Sequence, residues 1–238
     1  MQNDFVNIAA HELRTPIQPI LGLSGLLTRS NLPKEKEREM LDIIARNAKR
    51  LLRLTEDILD ITRIESKSLQ LKKEQFNLNE MLRNAISDFQ HYLIKEYRSN
   101  NLSLEFIESE NDILVEADKG RINQIVSNLL NNAIKVTDQG KVSVMAIRNG
   151  HKAIVSIKDT GPGIDPEILP RLFTKFATKS IIGTGLGLYI SKNIIESHGG
   201  RIWAENNTGA KGATFHFSIP LYGLIHTSRS AKNRIEHT

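Results

Sequence analysis

Apolar residues recur at Val6, Ala10, Leu13, Ile17, Ile20 and Leu27 in alternating steps of four and three, with Ser24 at the remaining position. That seven-residue repeat predicts a helix from Met1 to about Arg29 with one apolar seam. His11 and Thr15 point away from the seam, and Glu12 sits on its flank. The helix therefore offers an imidazole to solvent, with a carboxylate next in sequence and a hydroxyl one turn on. A solvated helix face with a chance histidine would give the same pattern. Pro16 lies inside the repeat and predicts a bend just after the histidine. Ser30-Asn31-Leu32-Pro33 reads as a turn into a second helix, from about Lys34 to Lys67. There Met40, Ile44, Asn47, Leu51, Leu54, Ile58 and Ile61 repeat the same steps, and Leu41, Ala48, Leu52 and Leu59 run beside them. Two adjacent stripes are wider than a two-helix seam needs. A dimer forming a four-helix bundle would bury both; a monomeric hairpin packed on a second domain is the other solution.

After the polar stretch Ser66–Lys73 the pattern changes, and a domain junction is expected there. Gln75-Phe76 begins a short strand, and Asn77 with Glu80 reads as the cap of a helix from Leu78 to Ser99. Ser103–Ile107 and Ile113–Ala117 alternate as strands. Asp118–Val136 is helical, with Ile122, Ile125, Leu129 and Ala133 along one side. Lys141–Arg148 and Lys152–Lys158 form a hairpin around Asn149-Gly150. Asp165-Pro166-Glu167 has the form of a helix start. Gly183–Gly187 opens a helix ending at His198-Gly199-Gly200, and strands Arg201–Ala204 and Ala213–Pro220 follow. The fold expected is an all-α helical hairpin (residues 1–70), followed by an α+β sandwich (71–222) with a mostly antiparallel sheet covered by helices on one face. Residues 223–238 read as a basic tail.

Composition narrows this picture. The 238 residues are enough for a sizeable core, and 39% hydrophobic with 25% charged content is that of a globular chain. Cysteine is absent, which excludes disulfides, thiolate metal sites and cysteine nucleophiles, and suits the cytoplasm. No stretch approaches a membrane span, and no signal peptide is visible. The net charge of +5 fits a nucleic acid, a nucleotide or an acidic protein partner. Neither zinc-finger spacing nor an RNA-binding aromatic box is present, and nucleic acid is set aside.

Three clusters suit a nucleotide. Asn128, Asn132 and Lys135 share one helix face; amide oxygens are hard ligands for Mg²⁺, and an ammonium suits phosphate. Many solvated helices carry the same residues, and Asn131 is a bystander. Asp159-Thr160-Gly161-Pro162-Gly163 follows an apolar strand, where a carboxylate can accept from an exocyclic amine and glycine lets a base approach; a plain Asp-Gly turn is the alternative. Gly183-Thr184-Gly185-Leu186-Gly187-Leu188 opens a helix, where free amides favour phosphate. It is neither a Rossmann fingerprint nor a P-loop.

Together with HELRTP upstream, the succession NLLNNAIK, DTGPGI, LFTKF and GTGLGL resembles the catalytic core of sensor histidine kinases, whose ATPase domain is shared with the Hsp90 chaperones and the MutL repair proteins. The resemblance runs from about Phe5 to Pro220. It implies that His11 is the phosphoacceptor attacking the γ-phosphate of ATP, and that Glu12 takes the other ring proton. Thr15 matches the position that orients water when such kinases dephosphorylate their partner, which allows a phosphatase activity without establishing it. Asn132 matches the main Mg²⁺ ligand with Asn128 beside it, and Lys135 a phosphate contact. Asp159 would read adenine with Gly161 and Gly163 admitting the base, and Thr214 would help close that pocket. The backbone of Thr184, Gly185, Leu186, Gly187 and Leu188 would meet the phosphates. The partners implied are the receiver domain of a response regulator, phosphorylated on aspartate, and a second copy of this chain.

The sequence also departs from the family. The segment between Phe176 and Gly183 is short where an ATP lid is often longer, although Lys175 and Lys179 are placed to reach phosphate. The LFTKF box also lacks the tyrosine-arginine that often follows. His198 reads as a helix-end residue. With only ten residues before His11, the chain is expected to be the kinase core of a larger protein, cytoplasmic or the cytosolic part of a membrane-attached sensor. The competing readings are a degenerate kinase acting as a dimeric regulator-binding scaffold, and a chaperone-like or repair ATPase, against which the His11 box speaks.

Overall fold

The computed structural model describes residues 2–29, 32–96, 101–108, 112–177 and 185–223. Ser30, Asn31, the end of the helix expected to reach Ser99, Lys179, Thr184 and the tail after Gly223 lie outside the described residues. The described residues form two compact units, one up to Leu69 and one from Gln70 onward.

In the first unit α1 (Gln2–Arg29) packs against α2 (Lys34–Glu65). α1 continues through Pro16 and Pro19, which deprive the carbonyls of Glu12 and Thr15 of their usual amide donors. Its contact stripe is rotated by one residue from the seam expected. Ala9 and Pro16 are buried and Leu13, Ile20, Leu23 and Leu27 half-buried, whereas Ala10, Ile17 and Ser24 are exposed. The sequence repeat combines two stripes, of which α2 covers only one. α2 shows the same division. Leu54 and Ile61 are buried and Met40, Ile44, Leu51 and Ile58 half-buried. Leu41, Leu52 and Leu59 each keep more than half of their surface.

The second unit is a two-layer α+β sandwich. Strands β2 (Leu102–Ile107), β4 (Gly140–Asn149), β5 (Lys152–Asp159), β6 (Arg201–Asn206) and β7 (Ala213–Pro220) form one sheet in the order β2-β4-β5-β7-β6. Every pairing is antiparallel except β2–β4. Helices α3 (Leu78–Glu96), α4 (Lys119–Val136) and α5 (Gly187–Ser197) pack on it. Strands β1 (Glu74–Asn77) and β3 (Leu114–Ala117) pair as a separate antiparallel ribbon. The core alternates as a half-buried sheet requires: Val142, Val144 and Ala146, Ala153, Val155 and Ile157, and Phe215, Phe217 and Ile219 are buried, as are Ile122, Ile125, Val126 and Leu129 of α4. The helix start expected at Asp165 is instead a turn followed by one 3₁₀ turn, Leu169–Arg171. Pro170 removes a donor there, and only Ile168 and Leu172 are buried, too few contacts for a longer helix.

A buried histidine joins the two central helices. His198 Nδ1 lies 2.8 Å from the carbonyl of Ile194, and its Nε2 accepts from the amide of Asp118 at 3.0 Å. Asp118 in turn caps α4, accepting from Arg121 N, and accepts from Lys72 N through its other oxygen. The bonds assign a neutral ring with the proton on Nδ1. Burial pushes the pKa of His198 below its usual 6.5, and Lys73 lowers it further. Below that pH the unfolded chain takes up a proton that the folded chain refuses, so stability falls with acidification. The melting temperature of the second unit is expected to drop between pH 7 and pH 5, and less steeply in His198→Gln, with half-buried His216 adding a remaining slope of the same sign. Thermal unfolding at a series of pH values checks this.

Candidate active site

His11 stands on the exposed side of α1, its side chain 77% accessible. Glu12 follows on the flank nearer α2 and divides its carboxylate between two neighbours. Oε1 lies 3.8 Å from His11 Nδ1, and Oε2 accepts from Arg50 Nη2 at 3.3 Å. The remaining nitrogen, Nε2, is the one that Glu12 does not approach. The Thr15 hydroxyl donates to the carbonyl of His11 at 3.0 Å. Arg50 carries no sequence signal; it is one of several arginines on α2, and only the pairing of the helices singles it out.

The second cluster forms at the end of β5. Asp159 continues the inward set of Ala153, Val155 and Ile157, so the pleat turns its side chain toward the core, where it is 2% accessible. Its Oδ1 accepts from the amides of Gly161 at 2.9 Å and Ala213 at 3.2 Å. Burial raises its pKa, and the two amide bonds pull the other way. Oδ2 has no hydrogen bond among the described residues. A buried carboxylate with one open oxygen is suited to an amino group carried by a ligand.

α4 and α5 supply the rest. Asn128, Asn132 and Lys135 lie along one face of α4, Asn128 and Asn132 half-buried and Lys135 exposed. Asn128 Nδ2 donates to Ser191 Oγ at 3.0 Å, and Ser191 Oγ donates to Gly187 O at 2.8 Å. Gly187 begins α5, and a Cβ there would overlap the Asn128 amide, so the helix starts against this side chain only because the residue is glycine. The side chain of Asn132 makes no hydrogen bond among the described residues, so its amide oxygen is open to a ligand. Asn131 instead bonds Ser127 O, as a bystander would. The first amides of α5, from Gly187 and Leu188, have no intrahelical partners, and Leu186 before them is buried. Gly185 O accepts from Phe176 N at 3.1 Å, tying the LFTKF box to the glycine-rich segment.

The structure thus brings Asp159, Gly161 and Gly163 together in one loop, and Asn128 against the start of α5. It does not bring the Thr214 hydroxyl to Asp159. Thr214 falls on the outward set of β7, opposite Lys158, and donates to Asn207 Oδ1 at 2.7 Å. The amide of Ala213 meets the carboxylate in its place. Asn206, Asn207, Ala213 and Ser191 carry no sequence signal, because their parts depend on a strand pairing and a helix contact that no local pattern announces.

The chain is thus an α+β sandwich following a helical hairpin, and comparison with known proteins assigns the family. Residues 1–67 match the His Kinase A (phospho-acceptor) domain, and residues 117–223 the histidine kinase-, DNA gyrase B- and HSP90-like ATPase. The catalytic domain of the histidine kinase ThkA is 38% identical, with a TM-score of 0.56 over 63% of this chain and 95% of that one. ThkA in complex with the response regulator TrrA is 32% identical, with a TM-score of 0.69 over 91% of this chain and 61% of that one. AdeS of Acinetobacter baumannii is 27% identical, with a TM-score of 0.70 over 90% and 98%. Full-length ShkA, solved with AMPPNP, is 26% identical, with a TM-score of 0.69 over 92% of this chain but 46% of its own. The chain belongs to the histidine kinases.

Asp159→Asn keeps an acceptor for both amides and removes the buried charge. The nucleotide-free protein is expected to melt at a higher temperature than the native chain at pH 7. Calorimetry is expected to show a loss of ATP affinity of about 10- to 100-fold, the worth of a hydrogen bond to a charged group.

Proposed function

We propose that this histidine kinase autophosphorylates on His11 and passes the phosphoryl group to an aspartate of a receiver domain. The observation that carries the reading is His11 exposed beside Glu12, since the ATPase domain alone is of a kind shared with gyrase and HSP90. His11 Nε2 attacks the γ-phosphorus of ATP, the bond from that phosphorus to the bridging oxygen breaks, and ADP leaves. Glu12 takes the proton from Nδ1, so that the ring ends neutral as a phosphoramidate. Arg50 fixes the other Glu12 oxygen and so orients the base. Residues 1–70 serve as the dimerisation and phosphoacceptor unit, and residues 71–222 as the ATP-binding unit.

In the ATP-binding unit, Asp159 accepts from the adenine amino group through Oδ2, with Gly161 and Gly163 leaving room for the base. Thr214 acts on that pocket through Asn207. The amides of Thr184 to Leu188 and the Lys135 ammonium hold phosphate oxygens. Asn132 and Asn128 supply amide oxygens suited to Mg²⁺, and this fits a chain with no group of His, Asp or Glu side chains poised for a metal among the described residues. When bound, Mg²⁺ neutralises phosphate charge. Transfer to a regulator is supported by the ThkA–TrrA complex, and ATP as phosphoryl donor by ShkA with AMPPNP. Thr15 gives the same helix a residue able to orient water, which makes phosphatase activity toward the regulator part of the proposal. None of the described helices is long and apolar enough to cross a membrane, and the kinase core is proposed to work on the cytoplasmic side.

The open stripes of the hairpin are proposed to close on a second copy as a four-helix bundle. Burying one leucine contributes about 1.5–3 kcal/mol. Replacing Leu41, Leu52 and Leu59 together by Lys is therefore expected to turn a sedimenting dimer into a monomer. For the chemistry, the native chain incubated with Mg²⁺ and γ-labelled ATP is expected to acquire an acid-labile, base-stable label that His11→Ala does not. Label surviving in His11→Ala would sink the assignment of the acceptor. ATP binding without any label would favour a scaffold.

A further inference from the structure

Two consecutive asparagines at the end of β6 grip the two ends of the Asp159–Ile164 loop. Adjacent residues leaving a strand project to opposite sides, and Asn206 and Asn207 use this to reach different parts of the same loop. Asn206 Oδ1 accepts from the amide of Ile164 at 2.6 Å, and its Nδ2 donates to the carbonyl of Ile164 at 2.9 Å. One side chain thus satisfies both backbone groups of the residue that closes the loop, as a neighbouring strand would. Asn207 Nδ2 donates to the carbonyl of Asp159 at 2.9 Å and to that of Lys211 at 3.0 Å. Its Oδ1 accepts from the Thr214 hydroxyl, and its own amide donates to Gly212 O at 2.9 Å. The β6–β7 turn is thereby pressed onto Asp159, so closely that a Cβ on Gly212 would overlap the Asp159 carbonyl.

The carboxylate orientation depends on this arrangement. Oδ1 is held by one amide from within the loop, Gly161, and one from the turn that Asn207 fastens, Ala213. Loosening either end lets the open oxygen swing, and a hydrogen bond to a ligand is lost with small changes of direction. We propose that Asn206 and Asn207 are positioning residues for the nucleotide. They touch no part of it, but they set the direction of Asp159 Oδ2 and the shape of the Gly161–Gly163 cradle, and so determine the affinity for the adenine nucleotide. This rests on the reading of Asp159 as the adenine acceptor.

Titration calorimetry of the whole chain with Mg·ADP, paired with thermal unfolding in its absence, tests the proposal. Asn206→Ala and Asn207→Ala are each expected to raise Kd about tenfold. Asn206→Asp keeps the acceptor for the Ile164 amide and is expected to recover most of that loss. Ser218→Ala removes a hydroxyl that bonds Arg201 N in the same pair of strands, remote from the loop. It is expected to lower the melting temperature while leaving Kd within twofold of native. Should Asn207→Ala fail to fold, the contrast between Asn206→Ala and Asn206→Asp decides. Asparagine variants that melt earlier but bind Mg·ADP as the native chain does would overturn the proposal, as would Ser218→Ala weakening binding equally. A native chain that binds no Mg·ADP would remove the underlying reading of Asp159 itself, an outcome distinct from native binding with unaffected variants.

Discussion

A carboxylate buried at the end of a central strand sets the layout of the second unit. Burying Asp159 is costly, and the cost is offset only where the group is hydrogen-bonded. Two amides converge on one of its oxygens, one from two residues along the chain and one from the start of β7. That convergence requires β5 and β7 to be neighbours, and it requires the turn before β7 to reach over the strand end. The hydrophobic layer makes this possible. Val155 and Ile157 of β5 lie on the same buried face of the sheet as Phe215 and Phe217 of β7, and their register brings Ala213 beside Asp159. The apolar core thus serves as the rigid mount of a polar group whose second oxygen is left without a hydrogen bond among the described residues.

The hairpin works by the opposite principle. It leaves much of its apolar surface uncovered, with one stripe on each helix filled and an adjacent one open. Counted at the helical 100° per residue, His11 lies about 200° from Ala9, beyond both stripes of α1, while Glu12 falls on the margin of the filled one. Closing the open stripes against another surface would therefore leave the imidazole accessible and the Glu12–Arg50 pair in place. The exposure of His11 and the incomplete burial of the leucines follow from the same helical phase.

Features carried by local patterns were legible in the sequence, because neighbouring residues alone generate them. Asn77 caps α3 and Asp118 caps α4, each through its own side chain on an amide two or three residues ahead. The Asn149-Gly150 turn joins β4 to β5 where the dipeptide announces it. The candidates with a local signature, His11, Asp159 and the glycines of the proposed site, stand out in the sequence for the same reason. The contact stripe of α1 lies one residue off the seam its sequence suggests, because Leu13, Ile20 and Leu27 combine in sequence with either of two stripes. The acid after Asp165-Pro166 suggested a helix that Pro170 and the scarcity of buried contacts reduce to a single 3₁₀ turn.

The sequence by itself determined the element types, the two-part organisation and the chemical groups on offer, since each depends on periodicity, turn residues and composition over a few neighbours. The tertiary structure decided which groups meet. It paired β2 with β4 in parallel and β1 with β3 across nearly forty residues. It turned Thr214 toward Asn207 and put the Ala213 amide on Asp159, and it placed Arg50 on Glu12. Such contacts arise from strand register and helix phase set by burial of the whole core, a property no short window of sequence contains.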